Sequence, residues 1–182
     1  MKNNLILIGP MGAGKSTLGR ILAQKLDWPL YDSDAEIQKR TGASIPLIFE
    51  IEGESGFRDR ETAMLEELSA KDHIVLSTGG GAVMRPENRK ILQSGGWVVY
   101  LYTDVERQLE RTANDTQRPL LQNTNREEKL RSLLEQRDPL YRETADFIIT
   151  TGEQAPKALA NHILNAWWAH TQGSSEGDST SS

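Results

Sequence analysis

Apolar residues along this chain fall into two rhythms: short unbroken runs, and longer stretches in which they recur every three or four positions. The runs are Leu5-Ile6-Leu7-Ile8, Trp28-Pro29-Leu30-Tyr31, His73-Ile74-Val75-Leu76-Ser77, Trp97-Val98-Val99-Tyr100-Leu101 and Phe147-Ile148-Ile149-Thr150. Each predicts a strand. The first helical stretch runs from Leu18 to Leu26. A second runs through Ile37 to Arg40, opened by a capping box of Ser33 with Glu36 and stopped by Thr41-Gly42. Ser44-Ile45-Pro46 begins another, with Leu47, Ile48 and Ile51 as its apolar face, and Gly53 breaks it. From about Glu54 to Leu68 a longer helix buries Phe57, Met64, Leu65 and Leu68. Later helices cover Pro86 to Leu92, a segment capped by Asp104 with Val105, Leu109 and Arg111, Glu127 to about Gln136, and Ala155 to about Ala169.

Strands alternating with helices predict an α/β fold, a five-stranded parallel sheet with helices on both faces. Between Thr112 and Asn125 the pattern fails, and a polar segment of that length inside a compact domain predicts a mobile lid, here over the sheet's C-terminal edge. The domain is expected to span 1–171, and the serine-rich residues 172–182 to form a disordered tail.

Composition narrows the classes. A chain of 182 residues, 37% of them hydrophobic, can bury the core of one domain. Its net charge of -5 argues against a general nucleic-acid or membrane-surface binder. There is no cysteine, hence no disulfide framework, thiolate nucleophile or cysteine zinc site. The apolar N-terminal run is too short for a secretory signal, and no stretch approaches membrane-span length, so a cytoplasmic setting is expected. His73, His162 and His170 show no metal spacing and are read as structural or exposed.

The chemistry begins after the first strand. Gly9-Pro10-Met11-Gly12-Ala13-Gly14-Lys15-Ser16-Thr17 has the spacing of a P-loop, set between a strand and a helix as that motif requires. Its glycines permit backbone N–H groups to converge on phosphate oxygens, and the helix adds roughly half a unit of positive charge at its N-terminus. Lys15 is placed to neutralise the outer phosphates, Ser16 to ligate magnesium, and Thr17 to approach the α-phosphate. Asp32 and Asp34 either decorate a helix start or, two apart on an extended segment, share one side of the chain. In the second case one could hold a magnesium water while the other receives a substrate proton. Where many P-loop proteins carry a magnesium-holding aspartate at a later strand end, Ser77 and Thr78 stand here, which turns attention to Asp32. The consecutive Gly79, Gly80 and Gly81 are a turn or a ligand-binding strand edge. Arg118 is a candidate lid residue, and Arg137, expected at a helix C-terminus, either answers the helix dipole or captures an acidic ligand. By spacing alone, Arg58 and Glu61 are an ordinary solvated pair.

Taken in order, the P-loop, Asp32-Ser33-Asp34, Glu52-Gly53-Glu54 with Phe57-Arg58, Gly79-Gly80-Gly81, Arg118-Pro119-Leu120-Leu121 and Arg137-Asp138-Pro139-Leu140-Tyr141 resemble the shikimate kinase family. These are small P-loop kinases of aromatic amino-acid biosynthesis, and the likeness covers nearly all of the chain except the tail. The resemblance implies transfer of the γ-phosphoryl group of ATP to the 3-hydroxyl of shikimate, with Mg2+. It implies ATP phosphates on Gly12, Ala13, Gly14, Lys15, Ser16 and Thr17, and magnesium on Ser16 and, through water, on Asp32. Asp34, Arg58, Gly80 and Arg137 would hold shikimate, Asp34 acting as base and Glu61 orienting Arg58. Lys15, Asp34 and Arg118 would be the catalytic residues, Arg118 reaching the transferring phosphate, and Gln154 with Arg111 would lie near the adenine. The expected partner is therefore a small molecule, neither nucleic acid nor membrane, and the chain is expected to act as a monomer. Rival readings are a kinase of another polyol or sugar acid such as gluconate, and a nucleotide-dependent switch. The absence of an Asn-Lys-x-Asp guanine-reading motif removes the commonest form of the second.

Overall fold

The computed structural model describes residues 3–113 and 125–175. In chain order the elements are β1 (Leu5–Ile8), α1 (Lys15–Leu26), β2 (Leu30–Asp32), α2 (Ser33–Thr41), α3 (Ile45–Ser69), β3 (Val75–Ser77), α4 (Pro86–Gly95), β4 (Trp97–Tyr102), α5 (Val105–Arg111), α6 (Arg126–Thr144), β5 (Phe147–Thr150) and α7 (Pro156–Ser175). The strands form one five-stranded sheet in the order β2-β3-β1-β4-β5, with every pairing parallel. β1 is central, Ile6 lying beside Leu76 of β3 and Val98 of β4.

Side chains on a strand alternate between faces, and the sheet is covered on both. Ile6, Ile8, Val98 and Tyr100 pack into a core with Ile37 of α2, Phe57 and Leu65 of α3, Leu92 of α4 and Tyr141 of α6. Leu5, Leu7, Val99 and Leu101 pack on the other side against Leu18 and Leu22 of α1 and Leu159, Ile163 and Trp167 of α7. This double burial explains the unbroken apolar runs of β1, β3 and β4, whereas the edge strand β5 leaves Ile148 exposed. In a smaller cluster Met11 of the loop after β1 meets Val105 of α5 and Leu130 of α6.

Asn4 ties strand starts to helix ends. Its Nδ2 donates to Lys71 O at 2.7 Å and Gly95 O at 3.0 Å, while its Oδ1 accepts from Ile74 N at 3.1 Å. The histidines lie against aromatic rings: His73 tilted on Trp28, His162 edge-on to Phe147, and His170 stacked on Trp97.

Several local expectations need correction. Helix α1 starts at Lys15 rather than Leu18, because Gly14 already serves as its cap. The cap of α2 is Asp32, whose side chain accepts from Ala35 N at 3.0 Å, so Ser33 is the first helical residue and makes no capping box with Glu36. The α3 break falls at Gly53, which takes φ 75° and ψ 178°, but Leu47 and Ile51 face outward, Ile51 being 72% exposed. The turn there rotates the upstream segment so that Ile45 and Ile48, not those two, reach the core. β3 begins at Val75 instead of His73, whose φ of 57° is incompatible with a strand. Helix α6 does not end near Gln136: it runs on through Pro139 to Thr144, placing Arg137 inside the helix. Pro139 forfeits one backbone hydrogen bond there, while burial of Arg137 and Tyr141 holds the segment helical. Finally, α7 extends to Ser175, past the expected start of the tail.

Candidate active site

Neighbouring strands β1 and β3 end side by side, joined beyond their last ladder pair by Thr78 N to Leu7 O at 3.2 Å. The chain leaves β1 toward one edge of the sheet and leaves β3 toward the other. Their C-terminal ends therefore flank the crevice where open α/β sheets hold ligands. One loop leaving that crevice is Gly9–Thr17 and the other begins with Gly79.

Gly14 takes the left-handed φ of 93°, which aims the chain directly into α1 and leaves that helix's first N–H groups at the crevice. Lys15 is buried, its ammonium donating to Gly9 O at 2.6 Å and Pro10 O at 2.8 Å. From α5, Arg111 Nη1 donates to Gly12 O at 2.6 Å. Over this loop opens a cleft of about 440 Å³, within the size range of small-ligand sites. Gly12, Ala13, Gly14, Lys15, Ser16 and Thr17 line it together with Asp32, Asp34, Ser77, Thr78, Gly79, Arg111, Thr151 and Gln154.

Asp32 and Asp34 share the cleft for a reason different from the one their spacing suggested. Asp32 closes β2 and Asp34 stands in the first turn of α2, so an abrupt strand-to-helix passage, not an extended segment, brings both carboxylates there.

Beyond Gly79 the glycines pair off with side chains. A Cβ on Gly79 would stand 2.8 Å from Asp34 Oδ1, one on Gly80 3.4 Å from Arg137 Nη1, and one on Gly81 2.5 Å from Arg58 Nη1. The glycine run is thus the floor against which a carboxylate and two guanidinium groups are laid. Arg58, Arg137 and Glu61 are all buried. Arg58 Nη1 bonds Glu61 Oε1 at 2.9 Å, and the more exposed Glu54 lies 3.5 Å from Arg58 Nη2. Burial pushes the Glu61 carboxyl above the usual range, opposed by Arg58, Arg137 and Arg85. Glu61 and Glu54 both answer Arg58, whereas Arg137 Nε has no hydrogen-bond partner among the described residues. A buried guanidinium with an open donor is a site for an incoming anion.

The Arg58–Glu61 pair is therefore not the solvated salt bridge its spacing suggested. Arg118 and the candidate lid's residues 114–124 lie outside the described residues. Sequence reasoning missed the supports of the glycine loop. Arg85 Nη1 donates to Asp59 Oδ1 at 2.8 Å, Arg89 Nη1 to Val83 O at 2.8 Å, and Thr62 Oγ1 to Asn88 Oδ1 at 2.7 Å. It also missed Arg107, whose Nη1 donates to Thr151 O at 3.0 Å and braces the loop carrying Gln154. Such partners are distant in sequence and carry no local signal. Tyr141 did have one, four positions after Arg137 and so on the same helical face.

A parallel sheet with a P-loop after its central strand, and a pocket with two buried arginines beside the phosphate cleft, define a P-loop phosphotransferase for a small acidic acceptor. The family model described as "Shikimate kinase" matches residues 11–168. A shikimate kinase of Pseudomonas fluorescens (strain Pf0-1) is 60% identical over 162 residues, 89% of this chain and 94% of that protein. Among solved structures, the shikimate kinase of Acinetobacter baumannii in complex with shikimate is 54% identical at a TM-score of 0.90, covering 92% of this chain and 94% of that one. The shikimate kinase of Aquifex aeolicus is 38% identical at a TM-score of 0.81, covering 93% and 99% respectively. The chain belongs to the shikimate kinase family. It is an ATP-dependent, magnesium-using kinase of shikimate, which sets aside the gluconate and switch readings. Among the described residues, no helix is long and apolar enough to cross a membrane.

Proposed function

We propose that this chain transfers the γ-phosphoryl group of ATP to the 3-hydroxyl of shikimate, giving shikimate 3-phosphate and ADP, with the work divided among the residues above. Arg58 and Arg137 hold the carboxylate of shikimate, Gly80 lies against its ring, and Asp34 orients the hydroxyl and takes its proton. Gly12 to Thr17 carry the phosphates. Lys15 leaves the carbonyls of Gly9 and Pro10 for the outer phosphates, and Arg118 meets the transferring group. Gln154 and Arg111 flank the adenine. The observation that carries this reading is the pair of buried guanidinium groups on the glycine floor, Arg137 with an open Nε donor, beside Asp34, which lines the phosphate cleft.

Ser16 and Asp32 suit a magnesium ion that arrives with the nucleotide. Both line the cleft, and Asp32 uses Oδ1 for the Ala35 N–H, which leaves Oδ2 for a metal-bound water. Magnesium is held mainly by phosphate oxygens and water, with one or two protein ligands, so these two residues suffice for it. When bound, the ion neutralises charge on the β- and γ-phosphate oxygens. The protein's own share is alignment, since phosphoryl transfer through a loose transition state leaves little covalent work to side chains.

The same reading treats the chain as one catalytic domain with a lid at about 112–125. It takes the working unit as a monomer. It places the protein in the cytoplasm, in keeping with a cysteine-free sequence. The test is ADP release by purified protein with Mg-ATP and no acceptor, with shikimate, or with gluconate. A rise with shikimate alone is expected; equal turnover on gluconate, or no rise from folded protein, refutes it.

A further inference from the structure

Tyr141 belongs to neither the phosphate cleft nor the set of side chains assigned to shikimate, yet it is fully buried where the two arginines converge. Its hydroxyl donates to the carbonyl of Gly80, the middle glycine of the floor. Burial pushes its phenol up to about 12, while the Arg137 guanidinium, which also hydrogen-bonds the hydroxyl, pulls the other way, so the hydroxyl stays protonated and links Arg137 to the Gly80 carbonyl. The ring cannot turn away from this bond. It stacks on Tyr100 of β4 with centroids 4.8 Å apart and planes 27° apart, a contact between the two rings that does not involve the Tyr100 hydroxyl, which donates instead to Asp138 Oδ1 at 2.6 Å.

A peptide plane is set by either of its polar groups, because C=O and N–H are locked in one plane. By holding the Gly80 carbonyl, Tyr141 sets the plane of the Gly80–Gly81 peptide, and with it the glycine surfaces on which Arg137 and Arg58 rest. Glycine has no side chain to be packed in place, so an external bond must do this. We infer that Tyr141 is a positioning residue for shikimate: without touching the substrate, its hydroxyl fixes the Gly80–Gly81 floor and the spacing of the two guanidinium groups that clamp the carboxylate. The inference rests on the reading that Arg58, Gly80 and Arg137 hold shikimate.

Tyr141→Phe keeps the ring, its burial and its stacking on Tyr100 and removes only the hydroxyl. The expected result is a rise of about three- to tenfold in KM for shikimate with KM for ATP unchanged, the size of one lost hydrogen bond. Tyr100→Phe is the matched control, since it removes a hydroxyl one ring away that does not reach Gly80. It is expected to leave KM for shikimate within about twofold. A merely structural hydroxyl would lower the melting temperature of Tyr141→Phe while leaving both KM values alone, and that result overturns the inference. So does an equal rise in both KM values, a fall in kcat alone, or a Tyr100→Phe variant as impaired as Tyr141→Phe. Arg137→Ala, assayed beside them, separates the levels. If it leaves KM for shikimate unchanged, the site reading itself fails. If it raises that KM while Tyr141→Phe does not, only the positioning role fails.

Discussion

Replacing Gly79 with alanine tests whether the glycine floor positions the proton acceptor. Gly79 does not occupy the left-handed region, so alanine meets no backbone penalty and the whole effect comes from one methyl group. That methyl would stand 2.8 Å from Asp34 Oδ1 and 3.0 Å from Oδ2. Carbon and oxygen rest at roughly 3.3–3.6 Å, so the carboxylate must withdraw by about 0.5 Å. Catalytic groups tolerate about that much displacement, and about 1 Å can cost a hundredfold in rate. The expected loss is therefore about tenfold in kcat, or about 1.4 kcal/mol of transition-state stabilisation. KM for ATP should stay near its starting value because the P-loop is not contacted. Gly81→Ala supplies the contrast: its methyl would meet the Arg58 guanidinium, so its main effect should be a higher KM for shikimate. Both variants would be assayed by coupled ADP release over a grid of the two substrates, with melting curves to show that each folds. The reasoning is wrong if Gly79→Ala keeps its parent's kcat within about twofold, or if the two variants fail in the same parameter.

Glu61 gives a pH test. Burial raises its carboxyl in the folded state, so its contribution to stability is full below the unfolded glutamate value of about 4.3 and is lost as pH rises through the higher folded value. Glu61→Gln lacks that loss, so its melting temperature without shikimate should gain on the parent's as pH rises from about 4 to about 7. A parent that gains on the variant instead would contradict the direction. Lys15→Ala should abolish transfer in a protein that still melts cooperatively, and retained turnover would mean that Lys15 does not reach the phosphates. Asn4→Ala should lose about 2–4 kcal/mol in urea denaturation, because it strands the buried partners Ile74 N–H, Lys71 O and Gly95 O. Its kcat at low temperature should be unchanged, and a loss below about 0.5 kcal/mol would show that water replaces the side chain.

The strands, most helices and the phosphate loop were legible in the sequence because their signals are local. Leu5–Ile8 reads as a buried strand from its own composition, Gly53 marks the break in α3, and Gly14-Lys15-Ser16 needs only a strand before it and a helix after it. The family resemblance added the acceptor, through residues scattered over most of the chain. What no local pattern could state was proximity. Arg58 and Glu61 have the spacing of any surface pair, and only the packing of α3 under the glycine loop takes them out of water and makes their charge matter. Asp32 and Asp34 share a cleft because β2 passes straight into α2, with Asp32 itself capping that helix, and not because of their separation along an extended segment. Helix α6 overrides Pro139 because the lost hydrogen bond weighs less than burying Tyr141 beneath Gly80. Sequence alone determined which short segments can form and which chemical groups they carry. The tertiary structure decided which of those groups are desolvated together, and desolvation converts an arginine pair and three glycines into a site for an anion.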